Sequence, residues 1–209
     1  SYKGNMPTPS TFEYDFNDGS LEDFDLIDLD GVEGWLLAQE GVDYTNCLKS
    51  YSYRYNPGPQ IKKSNNIIVT KEFYNISATS QISFDVAYNS QYGNSSPDNV
   101  SVEVTIDGEN FVMLEKVNPG SGTFVNKVVE IGELLLNNGL EYGDYRIALR
   151  HQEDNKYDIR VDNFKLFVEE PIVSSVEPQI NAVPYPAGTY YLVAAAEDAF
   201  TVTVTAEVE

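Results

Sequence analysis

Apolar and polar side chains alternate along much of this chain, most clearly between residues 81 and 106. In residues 81–88, one face carries Ile82, Phe84, Val86 and Tyr88. Residues 100–106 repeat the alternation and run into Asp107-Gly108. A period of two is typical of half-buried strands, and Asp-Gly between apolar runs is a strong hairpin signal. The pattern predicts two strands, with residues 111–114 as the returning arm of the second.

Shorter apolar runs complete an all-β pattern. We predict further strands at residues 67–69, 124–131, 145–150 and 160–167, and one short helix around residues 132–136. The segment from residue 56 to residue 66 contains Pro57-Gly58-Pro59 and reads as an irregular surface loop. Turn-forming clusters between regularly spaced short strands favour a β-sandwich or a barrel.

The composition changes near residue 170. The chain has 209 residues, which suits one large β domain with a small addition. We predict a polar lead-in at residues 1–11 and a main domain at residues 12–170. Residues 171–209 contain no Lys or Arg but include two strand-like runs at 189–194 and 200–205. Because two strands alone are marginal in water, this C-terminal β segment either docks on the main domain or begins a second module.

The charge of the chain excludes several classes of partner. With 33 acidic and 13 basic residues, the net charge of −20 argues against nucleic acid and disfavours anionic membrane surfaces. No run approaches the length of a membrane span, and no signal-peptide core opens the sequence. Cys47 is the only cysteine, so it cannot form an internal disulfide, and we expect it to be a small buried residue.

Signals for catalysis are weak. The chain has a single histidine, His151, and no Gly-x-Ser-x-Gly motif that would place a nucleophilic serine. One His and one Cys are too few ligands for a typical zinc site. Glycine patterns for phosphate binding are missing, and 33 acids supply too many carboxylate pairs for any one to indicate glycoside hydrolysis. We therefore expect a protein that is not an enzyme.

Short oxygen-bearing side chains near both ends of the main domain suggest a hard cation, because Ca²⁺ binds through six to eight oxygens. The segments concerned are residues 15–19, 28–31 and 161–164. An EF-hand is excluded, since Leu26 and Leu37 would occupy its first and twelfth ligand positions. Asp28 and Asp30 are either ligands of an irregular loop site or members of a solvated turn.

Tyrosines supply a second possible binding surface. Tyr51, Tyr53 and Tyr88, with Tyr55 and Tyr92 nearby in sequence, form a candidate platform for stacking on sugars. The alternative is ordinary packing within the sandwich.

The order of several short motifs resembles the cleaved adhesin domain of gingipain-type surface proteins and the related choice-of-anchor J domains of Bacteroidetes. The resemblance covers about residues 12–168. It rests on Asp15-Phe16-Asn17-Asp18-Gly19, Ile27-Asp28-Leu29-Asp30-Gly31, Gly34-Trp35, Ser50-Tyr51-Ser52-Tyr53, residues 65–70, Ile82-Ser83-Phe84, residues 147–151 and Asp162-Asn163-Phe164. Asn17 stands where the family usually has Glu, and Asn163 replaces the second Asp of the closing pair.

This resemblance implies a jelly-roll β-sandwich related to MAM, concanavalin A-like and galactose-binding-like domains. It also implies a non-catalytic module, exported to the cell surface or secreted, that binds a protein or glycan of a host or neighbouring cell. Family members often carry structural calcium, so we expect an ion bound by Asn17, Asp28, Asp30 and Asp162. We further expect a monomeric module of a larger chain. The alternatives are a carbohydrate-binding module of a secreted glycan-processing protein and an architectural spacer.

Overall fold

The structure, a computed structural model, describes residues 9–55, 60–89, 98–120 and 122–169. These form one compact unit, Pro9–Glu169. The elements in chain order are β1 (Pro9–Tyr14), β2 (Phe24–Asp28), β3 (Leu36–Ala38), a single 3₁₀ turn (Val42–Tyr44), β4 (Cys47–Tyr51), β5 (Asn66–Thr70), β6 (Tyr74–Ile76), β7 (Gln81–Asn89), β8 (Val100–Thr105), β9 (Val112–Val117), β10 (Val125–Val129), α1 (Ile131–Asn137), β11 (Gly143–His151) and β12 (Asp158–Glu169). Two antiparallel sheets result, and the predicted all-β sandwich is confirmed.

The first sheet is organised around β12. Its strand order is β10-β7-β12-β4-β3, and β1 also pairs with β12. The long strand β12 pairs with β7 along most of its length, while its first half pairs with β4 and its second half with β1. A register shift between Asp162 and Lys165 interrupts the ladder, and Asn163 there has a positive φ of 48°. The bulge therefore sits at the predicted closing motif.

The second sheet has the order β2-β5-β11-β8-β9, and β6 also pairs with β11. Its central strand β11 lies between β5 and β8. The hairpin predicted at Asp107-Gly108 joins β8 to β9, and Gly108 has the positive φ of 75° that such a turn requires.

The core lies between the two sheets. Both contribute fully buried side chains, for example Phe84 and Val86 from the first sheet and Ile68, Val102 and Ile147 from the second. A smaller apolar cluster of Ile67, Val69 and Ala148 lies on the other face of the second sheet, because β5 is buried along its entire length.

The predicted strands and the short helix are confirmed, with small shifts at their ends. The first strand starts at Pro9, inside the segment expected to be a polar lead-in. The two strand-like runs expected within residues 171–209 lie outside the described residues, so the C-terminal β segment stays a prediction. Among the described residues, no helix is both long and apolar enough to span a membrane.

Candidate functional site

A surface cleft lies at one end of the second sheet. The register places Asp28, Asn66 and His151 side by side, so the end of β2, the start of β5 and the end of β11 meet there. The loop between β11 and β12 crosses the same end, and β9 contributes Lys116. We call this site the lysine cleft, and its lining is Leu29, Asp30, Lys63, Ser64, Asn65, Lys116, Gln152, Glu153, Asp154 and Lys156.

Glu153 is the hub of the lysine cleft. Its Oε1 accepts hydrogen bonds from Lys116 Nζ at 3.0 Å and from Asn99 Nδ2 at 2.7 Å. Its Oε2 lies 2.8 Å from Lys156 Nζ. Burial alone raises the pKa of Glu153, but the hydrogen bonds from Lys156, Asn99 and Lys116 outweigh it and lower the pKa to about 2. Glu153 is therefore an anion at neutral pH.

Backbone contacts hold this hub in place. The Ser64 N–H donates to the Glu153 carbonyl at 2.8 Å, and the Glu153 N–H donates to Ser64 Oγ at 3.0 Å. Two residue pairs further along, the Asn155 N–H donates to the Lys62 carbonyl at 2.8 Å. The loop between β11 and β12 is thus tied to the segment before β5, and the two segments form a fixed floor.

The other wall of the cleft comes from the turn after β2. Asp30 Oδ2 accepts the Asn65 N–H at 2.8 Å, and Asn65 Oδ1 accepts a hydrogen bond from Arg150 Nη1 at 3.0 Å. Asp28 Oδ1 accepts the N–H groups of Asp30 and Gly31, which closes the turn. Asp28 and Asp30 are therefore turn-forming residues, and Asp30 also belongs to the lysine cleft.

The remaining predicted metal ligands lie elsewhere. Asp162 is on β12 in the first sheet, where its Oδ2 accepts the Val42 N–H at 2.8 Å and Thr45 Oγ1 at 3.4 Å. Its Oδ1 accepts the Asn163 N–H at 2.7 Å. Asn17 Oδ1 accepts the Asn46 N–H at 3.1 Å. Residues 41–46, which we call the anchor loop, therefore join Asn17 to Asp162.

This arrangement divides the four expected ligands into two pairs. Asn17 and Asp162 meet at the anchor loop, whereas Asp28 and Asp30 follow an edge strand of the other sheet. The backbone N–H groups of Val42 and Asn163 donate to the two oxygens of Asp162. Within the described ranges, no three acidic, His or Cys residues are grouped to hold a metal. Asp28, Asp30 and Asp162 are therefore not gathered at one point in the described part of the chain.

Burial shapes the chemistry of Asp162 as well. Burial raises the pKa of Asp162. The hydrogen bonds from Val42, Asn163 and Thr45 oppose that rise, and the Asp85 carboxylate adds to it.

The anchor loop holds Asp43 and Tyr44 at positive φ values of 53° and 63°. Such strained residues persist only where their surroundings fix them, and here the backbone hydrogen bonds within residues 41–45 and the bond from Val42 to Asp162 do so.

Solved structures of known proteins share this fold. The K1 cleaved adhesin domain of Lys-gingipain from Porphyromonas gingivalis W83 superposes with a TM-score of 0.61 at 20% identity, over 77% of this chain and 99% of that one. The K3 domain gives 0.58 at 22% identity over 77% and 99%, and the K2 domain gives 0.55 at 16% over 75% and 99%. This chain has the fold of a cleaved adhesin domain. The resemblance found in the sequence is confirmed at that level.

No family model matches the sequence, and no curated protein matches it. The adhesin-like fold is therefore recognised through structure and through the order of short motifs.

The predicted tyrosine platform is not assembled as one surface. Pairing of Asp158 with Tyr51 and of Ile159 with Tyr88 puts Tyr51 and Tyr88 on opposite faces of the first sheet. Lys49 Nζ and the Arg54 guanidinium carbon lie 4.8 and 4.7 Å from the centre of the Tyr51 ring. Tyr53 follows β4, and its N–H donates to the Tyr157 carbonyl. The Tyr51 ring is thus engaged with cations of its own chain.

His151 belongs to a buried polar group that resembles a catalytic triad. Its Nδ1 lies 2.8 Å from Ser50 Oγ, and its Nε2 lies 3.5 Å from Asp98 Oδ1. Ser50 and His151 are 0% exposed and Asp98 is 1% exposed, so no substrate reaches them. The group fixes β4 to β11 inside the sandwich and is not a hydrolytic site.

Sequence reasoning missed most of the lysine cleft. Glu153 is 37 residues from Lys116 and 54 residues from Asn99 along the chain (153 − 116 and 153 − 99). The local signal is the polar run at residues 153–156 between two predicted strands, and such a run is equally typical of a plain loop. Among the lining residues, only Asp30 is a site residue predicted from the sequence, and the role predicted for it is that of a metal ligand.

Proposed function

We propose that this chain is a non-catalytic ligand-binding module that acts in adhesion outside the cell, and that its ligand binds in the lysine cleft. The observation that carries the proposal is the concentration of charged and amide side chains in one cleft at the end of the second sheet. Lys63, Lys116 and Lys156 are three of only 13 basic residues in the chain. Ligand sites are concave, and the polar groups placed within them fix the orientation of the ligand.

The fold supports the same proposal. The gingipain domains with this fold are named adhesin domains, and we extend that role to this chain by analogy. The ligand we propose is a protein or glycan of a host or neighbouring cell, and the module acts as part of a longer exported chain. The burial of the only Ser-His-Asp group in the described residues supports a role without catalysis.

Binding to whole cells tests the proposal. The fluorescently labelled protein is titrated onto epithelial cells and measured by flow cytometry, beside a Lys116→Ala, Gln152→Ala double variant. Both positions are solvent-accessible, so the double variant should fold. We expect its binding to fall by about tenfold or more, because charge-assisted and amide contacts are lost.

Lys165→Ala is the matched control. Lys165 pairs with Glu13 on the first sheet, away from the lysine cleft, and its removal changes the net charge as Lys116→Ala does. Equal binding by the wild type and the double variant would contradict the proposal. Absence of binding by every form would favour the architectural spacer.

Calcium binding stays a prediction. The four residues named from the sequence lie in two places, Asn17 and Asp162 beside the anchor loop and Asp28 and Asp30 after β2. Chelation experiments, given in the Discussion, test it.

A further inference from the structure

We propose that the ligand of the lysine cleft is an uncharged carbohydrate, bound through the ionic network around Glu153. This inference rests on the proposed function and names the ligand class for the same site. It follows from the balance of charges in the cleft, from the donor and acceptor groups that line it and from the rigidity of its floor.

The charges of the lining cancel. Three lysines, Lys63, Lys116 and Lys156, face three acids, Asp30, Glu153 and Asp154. The surrounding chain carries a net charge of −20 and repels anionic ligands at long range. A cleft built for an anion would need an excess of positive charge over this background, and this lining has none. An acidic glycan or an acidic peptide is therefore disfavoured, and an uncharged polar ligand is favoured.

The chemical groups of the cleft match sugar hydroxyls. Each hydroxyl donates one hydrogen bond and accepts others, so it suits a site that places donors beside acceptors. Lys116 Nζ lies 3.0 Å from Glu153 Oε1, and Lys156 Nζ lies 2.8 Å from Oε2. Hydrogen bonds to such ionised groups are about twice as strong as those between neutral groups. The amides of Asn65 and Gln152 add further donors and acceptors to the same lining.

The cleft also offers an apolar contact. Leu29 lies in the lining with 56% of its surface exposed. Sugar rings present C–H groups as well as hydroxyls, and an exposed leucine gives those groups an apolar surface to cover. A small ionic ligand would present no apolar surface to this side chain.

The floor of the cleft is fixed before any ligand binds. The paired hydrogen bonds between Ser64 and Glu153 lock the two segments together, and the Glu153 side chain is only 10% exposed. Preformed sites lose less side-chain entropy on binding than flexible ones. Weakly interacting ligands such as sugars need that advantage.

A glycan array followed by calorimetric titration tests the inference with the full chain. The array contains neutral glucans, galactans, mannans and xylans together with uronate-containing and sialylated glycans. We expect hits among the neutral glycans only. We also expect affinity for a neutral hit to change less than about twofold between roughly 50 and 500 mM NaCl, since no counterions are released on binding.

Variants assign the hits to the cleft. We expect Lys116→Ala and, separately, Gln152→Ala to weaken binding of the neutral hit by about tenfold, with Lys165→Ala unchanged. Leu29→Ser should weaken it less, because only an apolar contact is lost. Each variant is first checked for a native circular dichroism spectrum and cooperative unfolding, because Lys116→Ala removes one partner of Glu153.

The outcomes separate the two claims. Salt-sensitive binding of acidic glycans only, or cell binding that survives enzymatic deglycosylation yet is lost in the cleft variants, would overturn the carbohydrate inference and leave the proposed function standing. Neutral glycan binding that the cleft variants do not weaken would overturn the lysine cleft as the site. No binding to glycans or cells would overturn both.

Discussion

Glu153 makes the free energy of unfolding of this chain depend on pH. Its folded pKa of about 2 lies below the ordinary value of 4.5. The unfolded chain therefore takes up the proton first, so the stabilisation is present above about pH 4.5 and is lost as the pH falls through about 2. Because Lys116 is half exposed, water screens part of the interaction, and we expect about 1–2 kcal/mol at neutral pH.

Urea denaturation of Glu153→Gln and of the wild type at several pH values checks this. The difference in free energy of unfolding should be largest near pH 7 and should shrink toward zero near pH 2. Asp154→Asn, next to it and exposed, should show little difference at any pH. A difference that does not depend on pH would mean that Glu153 acts through packing and not through its charge.

Cys47 should be unreactive in the native protein. It is completely buried in β4, and burial raises the pKa of its thiol to about 12, so almost no thiolate exists at neutral pH. We expect no modification by Ellman's reagent until urea unfolds the chain, when one thiol per chain should react at once. Rapid labelling of the folded protein would show that β4 opens locally.

At the scale of elements, α1 is constrained by its contact with the turn before β7. Gly132 lies in the first turn of this helix, and a Cβ added there would lie 2.1 Å from the Ser77 carbonyl oxygen. Helix propensity alone predicts that Gly132→Ala stabilises by up to about 1 kcal/mol. The clash with backbone should reverse that sign and cost about 1–3 kcal/mol. Thermal melts decide between these signs, with Asn137→Ala on the exposed side of the same helix expected within about 0.5 kcal/mol.

The anchor loop depends on one carboxylate. Asp162→Ala would leave the N–H groups of Val42 and Asn163 without their acceptor, at a cost of about 1.5–3 kcal/mol. We expect a lower melting temperature and faster proteolysis within residues 41–46, to the same extent with calcium or with EDTA. Asp154→Ala serves as the exposed control. If the variant melts normally, the loop is held by other contacts.

The sequence indicates local structure better than it indicates sites. Period-two alternation and the Asp107-Gly108 turn were enough for β7, β8 and the hairpin to β9, because those signals lie within a few residues. Short strands such as β3 and β6 are not predicted from the sequence, because three residues are too few to show a period of two. Asp28 and Asp30 looked like ligands because Asx turns and metal loops use the same residue types, and only the pairing of distant strands tells them apart.

For the molecule as a whole, calcium dependence is the simplest measurement. An ion bound only to the folded state at one hundred times its dissociation constant would stabilise by about 2.7 kcal/mol, or roughly 5–10 °C for a domain of this size. Calcium binding stays a prediction, and we expect the melting temperature to rise by about that amount when EDTA is replaced by millimolar calcium. A melting temperature that does not change with calcium, or that rises equally with magnesium, would contradict the predicted structural calcium ion.

The pairing of the first strand with the last has a consequence for how the sandwich is built into longer polypeptides. Pro9 lies opposite Glu169 in the β1–β12 ladder, so the entry and exit points of residues 9–169 are neighbours. The segment before residue 9 and the segment after residue 169 therefore join the domain at neighbouring positions. A longer protein could carry such a domain as an insertion in a surface hairpin, because the two ends of the domain are close enough to continue into the two hairpin strands. Several copies in tandem would each project to one side of the polypeptide that connects them.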